Sequence, residues 1–304
     1  MEPEQPESLP LLVCALIVSH NCAAALRRSV AALEASQNRR QIEILVVDNG
    51  SRDESRQMDS EFPDINMLRL PHFCGLTKAR NIGIRTARAE HLLLLEAGVE
   101  VEPGTAMALV ERLEAEPAAL AVCPAVVAPS GASLSKMHRL PSADQVSGHW
   151  EDPMSLPGLN AASDFELHDG QAIFLRRTTI QGMNYLDEKF GEYWGDVEMA
   201  FQIKRAGKRI VMTPDVKVRL DRASAPLWKP TSANDRAAFA ADAANGAAVY
   251  LGKHFGFGAG LAFRLKSVLG ALGRTITFQD FGYSSSLFSR VISGYKIDGS
   301  SQHL

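Results

Sequence analysis

Short apolar runs alternate with stretches of helical periodicity over the first 127 residues of the chain. The apolar runs are rich in β-formers or continuously apolar, as strands covered on both faces must be. This alternation predicts a largely parallel sheet with right-handed crossovers, flanked by helices. The predicted strands are residues 11–18, 42–47, 66–70, 91–95 and 120–127, and the predicted helices are residues 23–35, 55–62, 76–89 and 103–116.

The first two predicted strands both run into polar turns. The first ends in Ser19-His20-Asn21, and the second is followed by Asp48 and Ser51. Open parallel sheets bind ligands beyond the carboxyl ends of their strands, where a carboxylate can accept a hydrogen bond from a nucleobase or a ribose hydroxyl. An Asp-Asn-Gly-Ser segment also favours a simple turn. The sequence leaves both interpretations of Asp48 open.

Composition and motifs disfavour several functional classes. The formal net charge of −3 gives no strong attraction to nucleic acid, so none is expected as a partner. No glycine-rich dinucleotide fingerprint follows a predicted strand, and the sequence has no P-loop motif. A nicotinamide-dependent dehydrogenase and a P-loop enzyme are therefore disfavoured.

The cysteines and the apolar runs bear on location. The four cysteines lie far apart without a paired spacing, which is typical of a reduced chain. Residues 1–10 are acidic and contain prolines, unlike a signal peptide, and no apolar run reaches the length of a membrane span. We expect a cytoplasmic protein, with peripheral contact at the inner face of a membrane left open.

The pattern changes beyond residue 127. Residues 130–168 are rich in Ser, Gly and Pro without a sustained period, which favours a substrate-facing loop region. Order resumes in predicted strands at residues 171–176, 209–212 and 216–220, and in predicted helices after Asp196 and at residues 237–254. We divide the chain into a flexible N-terminus at 1–10, an α/β domain at 11–225 and a C-terminal helical extension at 226–304.

The C-terminal extension contains an unusual segment at residues 255–278. It combines Phe and Leu side chains with Arg264, Lys266 and Arg274. Such a segment can lie in a membrane interface, cationic on one side and apolar on the other. The alternative is packing on the α/β domain or on a second copy of the chain. Both interpretations are open.

Asp196 lies directly before a stretch of helical periodicity and after Gly195. A carboxylate held at such a position can accept a proton from a substrate hydroxyl. It can equally cap the helix by accepting bonds from backbone N–H groups. Trp194, beside it, can stack on the face of a sugar.

Six motifs follow one another along residues 11–220. They are SHN, VVDNGSRD, GLTKARNIGIRTA, LLLLEAGVEVEPG, GQAIFLRR and LDEKFGEYWGDVEMAFQIKRAGKR. Their order and spacing resemble the family-2 glycosyltransferases of GT-A fold, most of all the bacterial rhamnosyltransferase-like branch. The resemblance implies a nucleotide-sugar-binding α/β fold with a mostly parallel central sheet, flanking helices and a C-terminal helical extension. It also implies a hexosyltransferase of cell-envelope polysaccharide biosynthesis, with residues 11–127 binding the nucleotide and residues 128–225 binding the acceptor.

The resemblance assigns roles to individual residues. Asp48 corresponds to the aspartate that binds the nucleotide base, and Asp196 to the general base that deprotonates the acceptor hydroxyl. The implied reaction is an inverting single displacement that moves a sugar from a UDP- or dTDP-linked donor to a glycan or lipid-linked acceptor. The implied donor-binding residues are Ser19, Asn21, Asp48, Ser51, Arg80, Asn81 and Glu96, and the implied acceptor-binding residues are Trp194 and Glu198.

The sequence departs from the family pattern at the metal site. The slot for the family's D-x-D motif reads Glu96-Ala97-Gly98, and the slot for a metal-binding histidine holds Leu220. The glutamate of the family's E-D motif is replaced by Gly195. A divalent metal such as Mn or Mg therefore lacks its usual ligands, and we assign no metal-binding residue.

Three interpretations of this departure are open. Cationic side chains from Lys217, Arg219 or Arg222 could replace the metal in a working transferase. A metal could still bind through Glu96, Glu100 and the donor diphosphate. Alternatively, the chain could be a degenerate relative that binds a nucleotide or glycan without turnover.

Overall fold

The computed structural model describes residues 10–135, 137–148, 166–168, 170–224, 227–277 and 280–299 of the chain. Its strands are β1 (Val13–Ser19), β2 (Ile42–Asp48), β3 (Asn66–Arg69), β4 (His91–Glu96), β5 (Val99–Val101), β6 (Ala119–Val127), β7 (Met137–His138), β8 (Leu167–His168), β9 (Ala172–Arg176) and β10 (Arg209–Leu220). Its helices are α1 (Ala23–Glu34), α2 (Met58–Glu61), α3 (Leu76–Thr86), α4 (Thr105–Ala115), α5 (Ala143–Gly148), α6 (Arg177–Gly182), α7 (Gly195–Arg205), α8 (Ala233–His254), α9 (Phe257–Ile276) and α10 (Phe281–Ser293).

One central sheet has the strand order β3-β2-β1-β4-β9-β6-β10-β5. The pairings of β3 with β2, β2 with β1, β1 with β4 and β6 with β10 are parallel. Strand β9 runs antiparallel between β4 and β6, and β5 runs antiparallel to the end of β10. The predicted α/β fold class, with its mostly parallel sheet, is confirmed.

Alternating side chains of the strands supply two cores, one on each face of the sheet. In β1, Val13, Ala15 and Ile17 face α1 and α4, whereas Cys14 and Leu16 join the core formed with α3, α7 and α8. Both faces are covered, which explains why the strands are continuously apolar in sequence. The four cysteines are all free and buried.

Some elements differ from the sequence predictions. The predicted helix at residues 55–62 is a 3-10 turn at Glu54–Gln57 followed by the short α2, because the Asp53 side chain accepts a hydrogen bond from the backbone N–H of Ser55 at the start. The two predicted strands at residues 209–220 form one strand, β10, with an irregularity between Thr213 and Lys217. Helix α10 was not predicted as a separate helix.

The region at residues 130–168 is described only in part. It contains a short ribbon of β7 and β8 and the helix α5. Residues 136 and 149–165 lie outside the described part, as do residues 1–9 at the N-terminus. The substrate-facing loop and the flexible N-terminus therefore stay predictions.

The C-terminal helices α8, α9 and α10 pack on one another and also on the α/β domain. Ala247, Tyr250 and Leu251 of α8 are buried in the same core as α3 and α7. After α10, Ile297 packs with Phe73 and Phe239, so the chain returns to the α/β domain. Among the helices described here, none combines the length and the apolar content needed to cross a bilayer.

Candidate active site

A cavity of about 300 Å³ opens at the carboxyl ends of β1 and β4. The ends of these strands contribute its floor, α3 and the segment before α7 contribute one wall, and the segment before α8 contributes another. The lining residues with polar side chains or aromatic rings include His20, Asn49, Phe73, Arg80, Glu96, Glu192, Tyr193, Asp196, Trp228, Lys229 and Phe239. The cavity therefore lies where ligands bind in open α/β sheets.

Asp48 ends β2 with a fully buried carboxylate. Its Oδ1 accepts a hydrogen bond from the backbone N–H of Ser51 at 3.3 Å, whereas its Oδ2 has no hydrogen-bond partner among the residues that the structure describes. Burial raises the pKa of the Asp48 carboxyl above its ordinary value. A buried polar atom without a partner is rare in native proteins and calls for a missing ligand or water. Asp48 itself does not line the cavity, but its neighbour Asn49 does.

Ser19, Asn21 and Ser51 surround Asp48, as predicted, but they bind protein groups. The hydroxyl of Ser51 accepts a hydrogen bond from the backbone N–H of Asn21 at 2.9 Å, and Asn21 Oδ1 accepts one from the backbone N–H of Arg52 at 2.7 Å. Ser19 Oγ lies 3.3 Å from Cys22 Sγ in the buried interior. These contacts lock the two turns together, and the three residues do not line this cavity, so donor binding by them stays a prediction.

His20 is a site residue that the sequence predictions missed. Its Nδ1 lies 2.8 Å from the carbonyl oxygen of Asn49, and its Nε2 lies 3.0 Å from Asn21 Nδ2. Burial lowers the pKa of His20, which favours the neutral ring. The ring also contacts Phe73 and Trp228, with centroid distances of 4.6 and 4.8 Å. Its place directly after β1 was the available signal.

Asp196 forms an ion pair with Arg80 in the cavity wall. Arg80 projects from α3 with a buried side chain, and its Nη1 donates to Asp196 Oδ1. Its Nη2 donates to the carbonyl oxygen of Gly170 at 3.3 Å. Gly170 has a φ of +70°, and a Cβ there would collide with Asp196 Oδ2. A glycine is therefore needed to make room for this carboxylate.

Asp196 does not cap α7, so the capping interpretation is wrong. The helix begins at Gly195, the capping position is Trp194 with a φ of 74°, and no side chain makes a capping hydrogen bond. Asp196 is thus inside the first turn, and its carboxylate is directed to Arg80. A negative charge there is still favoured by the partial positive charge of the helix N-terminus.

Glu192 and Asp242 form a second acidic pair that sequence reasoning missed. Glu192 lines the cavity, and its Oε2 accepts a hydrogen bond from the backbone N–H of Leu76 at 2.8 Å. Burial raises the pKa of Glu192 to about 7, with a further contribution from the charge of Asp242. Burial likewise raises the pKa of Asp242 to about 6. These two carboxyl groups therefore titrate near neutral pH.

Asp242 also holds the segment that leads into α7. Its Oδ2 accepts hydrogen bonds from the backbone N–H groups of Glu192 and Tyr193 at 2.9 and 3.3 Å. Its Oδ1 accepts a third from the backbone N–H of Ile297 at 2.8 Å. One buried side chain of α8 thus ties the C-terminal segment to the loop before Asp196.

Asn81 does not reach the cavity. Its Nδ2 donates to the carbonyl oxygen of Leu186 and to Glu188 Oε1, both at 2.9 Å, and its Oδ1 accepts from the backbone N–H of Leu186 at 3.0 Å. The side chain is fully buried and all its hydrogen-bonding capacity is used within the protein. Donor binding by Asn81 stays a prediction, and in this structure its side chain holds the loop after α6.

Trp194 and Glu198 also lie elsewhere than predicted. Trp194 is only 7% exposed, and its ring packs on Tyr250 and Gly246 of α8. Glu198 is buried and pairs with Lys253 and His254, at 2.5 and 2.6 Å. Because both side chains join α7 to α8, neither offers a free surface to an acceptor. Acceptor binding by these two residues stays a prediction, and the structure shows both side chains packed between α7 and α8.

The metal slot at the end of β4 holds an ion pair. Glu96 Oε1 lies 3.0 Å from Arg222 Nη1, and Glu100 Oε1 lies 2.6 Å from Arg28 Nη2. Gly98 and the buried Leu220 supply no ligand atoms from their side chains. Across the ranges that the structure describes, no group of three His, Cys, Asp or Glu residues could hold a metal ion. Because divalent cations need several oxygen ligands, these residues do not fit such a site.

Comparison with known proteins decides the family. A sequence model described as glycosyl transferase family 2 matches residues 14–178. The chain belongs to glycosyltransferase family 2. The predicted family is thereby confirmed, whereas the rhamnosyltransferase-like branch stays a prediction. A search of curated proteins gave no match.

Two solved structures share the fold of this family-2 glycosyltransferase. A crystal structure of GalNAc-T7 with UDP, GalNAc and Mn²⁺ is 17% identical, with a TM-score of 0.54, and the match covers 70% of this chain and 44% of that one. The present chain therefore spans less than half of the GalNAc-T7 chain. A structure of S. aureus TarS 1–349 with UDP-GlcNAc is 11% identical, with a TM-score of 0.53, and covers 93% of this chain and 91% of that one. At these identities the likeness shows the GT-A fold alone.

Proposed function

We propose that this protein transfers a hexosyl group from a UDP- or dTDP-linked donor to a glycan or lipid-linked acceptor, with inversion at the anomeric carbon. The observation that carries the proposal is the cavity at the strand ends, which has the Asp196 carboxylate in its wall and the unpartnered Oδ2 of Asp48 behind it. The UDP and UDP-GlcNAc in the two similar structures support a uridine donor.

Donor binding uses the turns after β1 and β2. We assign Asp48 Oδ2 to an N–H group of the base, and the contact forms when the turn at Asn49, which lines the cavity, opens to expose this buried acceptor. The turn contacts of Asn21 and Ser51 hold Asp48 in place. A base that lacks a suitable N–H group would leave Asp48 unsatisfied, so this pairing also gives specificity.

The transfer step is a single displacement. The acceptor hydroxyl gives its proton to Asp196, and its oxygen forms a bond to the anomeric carbon. The bond between that carbon and the diphosphate oxygen breaks on the opposite face, and its electron pair leaves with the diphosphate. The ion pair with Arg80 fixes the orientation of the Asp196 carboxylate, which is what a positioned general base requires.

Arg222 is the cation that we assign to the leaving diphosphate. Its guanidinium contacts Glu96 at the end of β4, in the slot where family members hold a metal. Lys217 and Arg219 are exposed positions of β10. A guanidinium binds phosphate oxygens with two parallel hydrogen bonds, and it stabilises the negative charge that develops there.

The alternative function is a degenerate relative that binds a nucleotide or glycan without turnover. The ion pairs favour it, because Arg80 engages the proposed base and Arg222 engages Glu96. Gly195 in place of the family's glutamate also favours the degenerate relative. Both functions share the nucleotide site, and they differ in turnover.

The remaining assignments are proposals of the same kind. We place the enzyme on the cytoplasmic side of a bacterial membrane, in the synthesis of a cell-envelope polysaccharide. We keep the nucleotide-binding half at 11–127, the acceptor-binding half at 128–225 and the C-terminal extension at 226–304. The extension contributes Trp228 and Phe239 to the cavity lining and Asp242 to the loop before α7. It therefore belongs to the active site rather than to a separate unit.

Thermal unfolding with nucleotides tests the donor site. We expect UDP or dTDP at a hundredfold excess over Kd to stabilise the protein by about 2.7 kcal/mol, in EDTA as well as in Mn²⁺. Asp48→Asn should remove most of this stabilisation, whereas Asp64→Asn, an exposed matched control, should not. If no nucleotide raises the melting temperature, both the transferase and the binding relative are contradicted.

A further inference from the structure

The exposed apolar side chains of this protein are concentrated in one region. Within the described residues, all eight large apolar side chains that are exposed lie between residues 255 and 292. Contiguous apolar patches of this kind mark interaction sites, whereas isolated exposed apolar residues are ordinary. The five that belong to α9 are Phe257 (80% exposed), Leu261 (44%), Leu265 (55%), Leu269 (66%) and Ile276 (65%).

These five residues form a stripe along one side of α9, here called the apolar stripe. At 3.6 residues per turn, their directions fall within an arc of about 120°. The opposite side of α9 is buried against the protein through Phe263 and Ala271. Gly260 makes a close backbone contact with α8, since a Cβ there would lie 2.6 Å from the carbonyl oxygen of Ala248. The contact fixes the rotation of α9, so the exposure of the stripe is built into the fold.

The charged residues within α9 and α10 have one sign. Helix α9 contains Arg264, Lys266 and Arg274 and no acidic residue, although the whole chain has a net charge of −3. Helix α10 contains Arg290 and also no acidic residue. By the same helical periodicity, Arg264 and Lys266 border the stripe on its two sides. An apolar arc edged by cations is the pattern of helices that lie in the interface of an anionic bilayer.

We propose that the apolar stripe docks the protein on an anionic phospholipid surface, with α9 lying in the plane of the interface. The leucine and phenylalanine side chains enter the apolar region, and the bordering cations contact lipid phosphates. A second copy of the chain fits this surface less well. A two-fold contact joins the same patch of both copies, so two helices that carry only cations would meet without an acidic partner on either α9.

Docking does not depend on the proposed transfer reaction. It accounts for two features that the proposed catalysis does not use, namely the apolar stripe and the exclusively positive charge of α9 and α10. If the transfer reaction is also correct, docking brings the cavity to the surface where a lipid-linked acceptor lies.

Vesicle flotation of the full chain tests the docking. We expect binding to vesicles of phosphatidylcholine mixed with phosphatidylglycerol, weaker binding to phosphatidylcholine alone, and weakening by salt because the charges are screened. In Leu265→Glu/Leu269→Glu, partition into the mixed vesicles should fall about a hundredfold, or roughly tenfold for each leucine. The matched control is Ser60→Glu/Ala118→Glu, which adds the same charge at exposed positions elsewhere and should bind like the unaltered chain.

Two further measurements keep the test decisive. Circular dichroism should show the same melting temperature for the stripe variant and the unaltered chain, since both leucines are exposed. Sedimentation should show a monomer at every concentration used. The proposal is overturned if the unaltered chain fails to bind mixed vesicles, or if the folded stripe variant binds them equally well. A dimer that the stripe variant disrupts, without vesicle binding, would assign the stripe to a second copy instead.

Discussion

Two carboxylates in this protein are held in contrasting ways. Asp48, at the end of β2, is fixed by the backbone N–H of Ser51, three residues further along the chain. Asp196, at the start of α7, is paired with Arg80, which is 116 residues away. The donor side of the site is therefore built from local turns, and the base side from tertiary contacts.

The same contrast extends to the surroundings of each carboxylate. The turns around Asp48 come from β1 and β2 and their neighbouring residues. The loop before Asp196 depends on Asp242 of α8 and, through it, on the C-terminal segment at Ile297. We infer that changes in the C-terminal helices disturb the base side more than the donor side. Three experiments test whether the two sides can be altered separately.

Replacing Asp196 should have the largest effect. Asp196→Asn keeps the shape of the side chain but removes the proton acceptor, so kcat should fall by about 10²–10⁴. Nucleotide binding should remain, because the donor turns are separate from α7. The measurement is turnover of a UDP- or dTDP-sugar together with nucleotide affinity.

Asp215→Asn provides the control for this substitution. Asp215 is an exposed acid that pairs with Arg112, away from the cavity lining, and its replacement should leave turnover unchanged. Full turnover in Asp196→Asn would show that another group is the base. If neither the unaltered protein nor Asp196→Asn turns over a donor, while both still bind the nucleotide, the degenerate relative is favoured.

Replacing Arg222 should have an intermediate effect on the donor side. Arg222→Gln removes the cation next to Glu96, so we expect the affinity for UDP to fall about tenfold in EDTA, as for a charged hydrogen bond worth about 1.5 kcal/mol. Affinity for uridine, which lacks phosphates, should not change. Arg219→Gln, a neighbouring exposed position of β10, is the matched control.

The effect of Mn²⁺ on the affinity for UDP separates the two remaining interpretations of the slot at the end of β4. If Mn²⁺ raises the affinity of the unaltered protein for UDP by more than Arg222 does, a metal acts there and Arg222 is not its replacement. Equal affinities in Mn²⁺ and EDTA, together with the loss in Arg222→Gln, would support the guanidinium.

The third test is a pH dependence of stability on the base side. The pKa of Glu192 is raised to about 7 in the folded protein, so the folded state binds more protons than the unfolded state between about pH 4.5 and pH 7. Stability from this group is therefore present at low pH and lost as the pH rises through 7. Glu192→Gln removes this titrating group. The difference in free energy of unfolding between the variant and the unaltered protein should therefore change by roughly 1–3 kcal/mol over this range.

Melting temperatures from pH 5 to pH 8 measure this difference, whose expected size comes from the linkage relation. Glu114→Gln, an exposed acid of α4, should follow the unaltered protein at every pH. A Glu192→Gln curve parallel to that of the unaltered protein would mean that Glu192 is ionised throughout and does not form the buried acidic pair with Asp242.

Much of the fold could be predicted because its signals are local. Buried parallel strands need continuous apolar runs, and β1, β2 and β4 lie within one or two residues of the predicted bounds. Helix α10 lies in the predicted helical extension at 226–304 but was given no bounds of its own, and its position is set by packing on α8 and α9. The single strand β10 was divided in prediction because a local irregularity interrupts its pattern.

The site divides in the same way. Asp48, Ser51 and Asn21 lie together because β1 and β2 are adjacent and parallel, so their carboxyl ends meet at one edge of the sheet. The placements of Trp194, Glu198 and Asn81 could not be predicted from the sequence, since each side chain contacts a partner that lies far away along the chain. Trp194 meets Tyr250 and Glu198 meets Lys253, and α8 is the partner that the sequence pattern could not assign to α7.

The sequence by itself determined the layered α/β architecture, the family and the order of polar residues at the strand ends, because apolar periodicity and motif spacing are properties of the linear chain. Only the tertiary structure decided that Asp196 pairs with Arg80 rather than capping α7, and that Arg222 reaches Glu96. Only the tertiary structure also decided which side of α9 is exposed. Ion pairs and helix packing join residues distant in sequence, so their partners are fixed only when the chain has folded.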